Sequence, residues 1–72
     1  MRAILYDTIA KLVITRNELP LLARSFRPED LTFHGPSGLE LVFVVKNPER
    51  YLDVECIAQA KTDRALQASF AA

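Results

Sequence analysis

The chain has 72 residues, half of them apolar, and its nine lysines and arginines balance nine aspartates and glutamates. A chain this short buries only about 60% of the surface that its unfolded form exposes, so one modest domain spanning residues 1–72 is expected. One cysteine excludes an internal disulfide, and one cysteine with one histidine cannot close a structural zinc site. No run approaches the roughly 20 apolar residues that span a bilayer. Asp7 and Lys11 interrupt the first apolar stretch and Arg16, Asn17 and Glu18 follow it, unlike a signal peptide. A cytoplasmic protein is the simplest expectation. Cations outnumber carboxylates five to two up to Arg27, whereas from Pro28 onward carboxylates lead seven to four. Such a division yields either one basic and one acidic face or two regions that neutralise each other.

Residues 3–15 satisfy two periods. At helical spacing Leu5, Tyr6, Ile9, Leu12 and Val13 share one side, with Asp7 and Lys11 four apart in the favourable order. At strand spacing Ile4, Tyr6, Ala10, Leu12 and Ile14 align, and Thr8 is the sole exception. A straight strand of about twelve residues is long for so small a sheet, which favours a helix here without excluding the strand. Asn17 is positioned to cap a second short helix with Glu18 in its first turn and Pro20 early enough to be tolerated. Pro28 disfavours helical geometry at Arg27 and should stop it.

Residues 31–34 read as a strand, and Gly35, Pro36, Ser37 and Gly38 as the turn into Leu39. From Leu39, apolar residues recur at every second position through Leu41, Phe43 and Val45. A similar set, Leu52, Val54, Cys56 and Ala58, follows Asn47, Pro48, Glu49 and Arg50. Closing a hairpin at residues 47–50 sets every pair on one face as apolar, and a one-residue slip would destroy that match. A rival pattern starts a helix at Pro48, but it places Lys61 within the apolar stripe. The strand is therefore expected at residues 51–58 and a shorter helix from about Ala60 to Phe70, with Leu66 and Phe70 facing the sheet. The Ala-rich end, residues 68–72, is expected to fray. The resulting fold class is α+β: a three-stranded antiparallel meander over residues 31–58, packed with one or two N-terminal helices and a C-terminal helix.

Chemistry-bearing constellations are sparse. His34 and Cys56 are the only conceivable catalytic dyad, and the pairing above puts Cys56 on a buried face, where a thiol is inert. Asp53, Glu55 and Glu40 would share the outer sheet face, an arrangement usual for solvated strands and only rarely a cation site. The glycines at 35 and 38 lack the spacing and lysine of a phosphate loop. No cofactor, metal or catalytic residue is expected, and the chain does not read as an enzyme.

Two surfaces are candidates for binding. Leu31, Phe33, Val42, Val44, Tyr51 and Ile57, framed by Glu40, Lys46, Asp53 and Glu55, would make an apolar strip with a charged border. A small inhibitor or adaptor, of the kind phages and other mobile elements encode, fits such a strip. It would dock by its sheet face or edge on a protein partner or on its own copy as a homodimer. The alternative is a nucleic-acid-binding regulator using Arg16, Arg24 and Arg27, with Phe26 nearby for stacking; overall neutrality weighs against it.

Overall fold

A computed structural model of the chain describes residues 1–71, with side chains through Ser69. Two antiparallel hairpins and two helices build an α+β fold: β1 (Arg2–Leu5), β2 (Ile9–Ile14), α1 (Leu19–Ser25), β3 (Leu31–Ser37), β4 (Glu40–Lys46) and α2 (Glu55–Ala71). Short 3₁₀ turns at Arg16–Glu18, Pro28–Asp30 and Pro48–Tyr51 join them. The strands form one four-stranded sheet in the order β1-β2-β4-β3, so the second hairpin inserts its later strand beside β2.

The first departure from expectation is at residues 3–15, which form a hairpin where a helix was favoured. Thr8, the exception to the alternation, belongs to the turn: the Tyr6 N–H donates to the Ile9 carbonyl at 2.8 Å across Asp7 and Thr8. The turn divides a strand that seemed too long into two of ordinary length. It also reverses the phase, so Ile4 and Leu12 fall on opposite faces although both occupy even positions. Between β2 and α1, Thr15 and not Asn17 begins the helical run. The Glu18 carboxylate accepts from the Thr15 N–H at 2.9 Å and from its hydroxyl at 3.2 Å, and it pairs with the N-terminal ammonium of Met1. These contacts, the ammonium first, hold the Glu18 carboxyl below its ordinary pKa. As expected, α1 stops before Pro28, with the Phe26 N–H closing on the Leu22 carbonyl at 3.1 Å.

The second departure is the hairpin expected at residues 47–50 and the strand expected at 51–58, neither of which forms. The apolar set of β4 finds its partners in β2: Leu41 opposite Ile14, Phe43 opposite Leu12, Val45 opposite Ala10. With β3 on its other side, β4 has no free edge for residues 51–58. Asn47 turns the chain out of the sheet in a left-handed conformation, φ 54°. Pro48 starts the 3₁₀ turn, and α2 begins at Glu55 rather than near Ala60. The Lys61 objection to a helix fails because, among the described residues of α2, only Ile57 and Ala60 are buried, while residues 61–69 are all exposed. Leu66, expected to face the sheet, is half exposed. The end expected to fray is helical through Ala71, while Phe70's side chain and Ala72 lie outside the described residues.

The third departure moves the β3–β4 turn. Gly35 and Pro36 continue the strand, and Gly38 and Leu39 make a two-residue turn in which Gly38 supplies the positive φ of 63°. A bulge between Phe33 and Gly35 absorbs His34 and sets Leu31 opposite Val45 and Phe33 opposite Phe43. Leu31 and Phe33 therefore project to the same side as Val45 and Phe43, the side away from Val42 and Val44.

One sheet face carries the core. Ala10, Leu12, Ile14 and Val45 meet Leu22 and Phe26 from the α1 segment, and Tyr51 and Ile57 from the C-terminal segment. A buried polar knot closes one end. Asp30, 3% exposed, accepts a hydrogen bond from the Tyr51 hydroxyl and another from the Asn47 amide at 3.3 Å, and lies 3.7 Å from the Arg50 guanidinium. The Tyr51 hydroxyl in turn accepts from the Arg27 N–H at 3.2 Å. The Tyr51 hydrogen bond, followed by Asn47 and the arginines, keeps the Asp30 carboxyl below its ordinary range. Burial and the same carboxylate push the Tyr51 phenol up.

Candidate functional site

Among the described residues the helices pack on one face of the sheet, that of Ala10, Leu12, Ile14 and Val45. By strand alternation the other face presents Arg2, Ile4 and Tyr6 from β1 and its turn, and Ile9, Lys11 and Val13 from β2. It continues with Val42, Val44 and Lys46 from β4 and Thr32 from β3. Register arranges them in three rows: Tyr6, Ile9 and Lys46; Ile4, Lys11, Val44 and Thr32; Arg2, Val13, Val42 and Gly35. Val13, flanked by Arg2 and Val42, is only 8% exposed although no helix covers it. The β-branched side chains therefore make a dense platform, and Ile4 at its border is 44% exposed.

Charge on this platform is one-sided. Arg2, Lys11 and Lys46 stand within the three rows, and Glu40 lies beyond them at the start of β4. The ion pairs among the described residues join Met1 to Glu18, Arg50 to Asp30 and Arg64 to Asp7, so these three cations have no carboxylate partner there. Most of the acidic residues sit instead in the helical layer and its connections. The charge imbalance along the chain thus becomes, in part, an imbalance between faces.

The six residues expected to form one strip separate. Val42 and Val44 are half-buried members of the bare face. Leu31 packs against the core on the helical side, and Phe33, 55% exposed, projects to that side at the sheet edge, its ring centroid 5.1 Å from that of Phe43. Tyr51 and Ile57 are core residues and reach no surface, because residues 51–58 form a turn and a helix start in place of a strand. Asp53 and Glu55 follow them off the sheet, so the expected carboxylate face is not built. The sequence reading missed Ile4, Ile9, Lys11 and Val13 as members of the platform; the signal was the even-position alternation interrupted at Thr8.

The three arginines do not converge either. Arg16 lies beside Pro36 and Leu39 at the second hairpin turn, Arg24 borders a groove with Asp53 and Glu55, and Arg27 is engaged near Tyr51 and Asp30. Phe26 is 4% exposed and tilted against Tyr51 with centroids 4.8 Å apart, which removes it from stacking on a base. The groove at Arg24, about 760 Å³, runs between α1 and the start of α2 and includes Met1, Arg2, Leu21, Val54 and Cys56, so Arg2 at the sheet border also contributes to the helical side. Burial pushes the Cys56 thiol up, the opposite of activation. His34 sits on β3 at one edge of the sheet while α2 packs on β1 at the other, so the two are not a dyad. Among the described residues no group of three His, Cys, Asp or Glu side chains is placed to hold a metal ion.

No helix among the described residues is long and apolar enough to cross a membrane. Comparison of the chain with protein-family models, with curated proteins and with solved structures finds no match.

Proposed function

We propose that the chain is a non-enzymatic protein-binding module, an inhibitor or adaptor, that docks through the bare face of its sheet. The observation that carries this reading is the platform of Ile4, Ile9, Val13, Val42 and Val44, left without a covering layer while the opposite face is filled. Ile4, Ile9 and Val44 surround Lys11, so the surface combines exposed apolar area with a central charge, a composition that suits recognition. The β3 edge of the sheet is a poorer docking element. The outer strand β3 carries a bulge and Pro36, features that obstruct the addition of another strand. Nucleic-acid binding by Arg16, Arg24 and Arg27 lacks support from geometry, since the three serve different neighbourhoods and Phe26 is buried. A cytoplasmic location agrees with the lone cysteine, and a mobile-element origin with the small size.

Photo-crosslinking tests the reading. A benzophenone side chain introduced at Ile4, on the bare face, is expected to capture a discrete partner in cells, whereas the same group at Phe33, on the opposite side, is not. Capture from Phe33 alone would move the interface to the helical side and overturn the proposal.

A further inference from the structure

Lys11 is the unusual member of the platform. It sits in the middle row between Ile4 and Val44, with Ile9 and Val13 above and below it on its own strand, and it is half buried. Its stem can lie along these apolar neighbours while the ammonium stays at the surface. Any partner that covers the face must also cover this ammonium, and a charge removed from water without a counter-charge opposes binding. A wholly apolar partner is therefore disfavoured. A second copy docked face to face would bring the cations Arg2, Lys11 and Lys46 of one molecule against those of the other, and like charges in an interface disfavour it. A nucleic acid would meet aliphatic side chains at Val13, Val42 and Val44, where single-strand binders present stacking aromatics; Tyr6 stands only at a corner.

We infer that the occupant is an acidic amphipathic segment of another protein, its apolar side chains on Ile4, Val42 and Val44 and its carboxylates on Lys11 and Lys46. This inference rests on the docking reading above and specifies the chemistry of its partner. Charge complementarity across the face raises the association rate and rejects basic competitors.

The test is an NMR titration of the isotopically labelled full chain with three designed helical peptides of 18 residues. They share one leucine face and differ only in the residues bordering it: glutamate, glutamine or lysine. The glutamate peptide is expected to shift the signals of Ile4, Lys11, Val13, Val42 and Val44, with the glutamine peptide at least about tenfold weaker and the lysine peptide silent. Lys11→Met, which keeps the stem and removes the charge, should weaken the glutamate peptide about tenfold. Lys11→Glu should transfer the preference to the lysine peptide. Equal binding of all three peptides at this face would overturn the acidic-partner inference and leave the docking face standing. Shifts confined to Phe33, Leu39 and Leu41, no shift with any peptide at millimolar concentration, or stronger shifts of the bare face by a twelve-nucleotide oligothymidine would overturn both.

Discussion

Leu12 and Val13 are neighbours in β2, both nearly removed from water, yet they serve opposite sides of the sheet. Leu12 is enclosed among Ala10, Ile14, Val45, Leu22 and Ile57, where every contact belongs to the fold. Val13 is shielded only by its own sheet neighbours. The helical side thus carries the burial that holds the chain together, whereas the bare side keeps apolar surface in reserve. For a chain of this length that reserve is a substantial sacrifice of stability.

The sharpest contrast is expected from side-chain truncation. Leu12→Ala or Ile57→Ala should cost about 2–5 kcal/mol in chemical denaturation, the range for a fully enclosed aliphatic side chain. Val44→Thr on the bare side should cost under about 1 kcal/mol. Equal losses would mean that the second face is also packed. The polar knot comes next. Tyr51→Phe removes a donor from the Asp30 carboxylate and should cost about 1–2 kcal/mol.

The same knot predicts how stability follows pH. Asp30 is depressed in the fold, so its contribution is complete above the ordinary aspartate range and is lost as pH falls through the lower folded value, below about 4. Tyr51 is raised, so its contribution is complete below about pH 10 and fades as pH climbs through the higher folded value. Thermal melts across pH should therefore decline at both ends, and Tyr51→Phe should flatten the alkaline decline. The smallest effect belongs to Arg64→Ala. That side chain ties α2 to Asp7 at the first turn across open solvent, and its loss should change stability by at most about 0.5 kcal/mol.

The α+β class, the Pro28 stop and the alternation of β4 were readable from the residues. The partner of that alternation was not. Leu41, Phe43 and Val45 fit the nearby set at residues 52–58 as well as they fit Ile14, Leu12 and Ala10, and pattern matching alone favours the shorter loop. Asn47 did not discriminate between them, since an asparagine that tolerates left-handed geometry suits a hairpin turn as well as the exit from the sheet that forms. Residues 3–15 were misjudged because a two-residue turn of Asp7 and Thr8 carries no glycine or proline to mark it. The candidate face inherited both errors: Val42 and Val44 were found, Lys11 and Val13 were hidden in the expected helix, and Tyr51 and Ile57 were assigned to a strand that does not form. The Asp30 knot gave no warning, since a buried aspartate cannot be told from an exposed one without its partners.

Solvent exposure of individual methyl groups tests the contrast between faces most directly. With a soluble paramagnetic agent added to the methyl-labelled chain, the signals of Ile4, Ile9 and Val44 should broaden while those of Leu12, Ile14 and Ile57 stay sharp. Protection of Ile4, Ile9 and Val44 to the same degree as Leu12 would show that the second face is already covered, and would contradict the account.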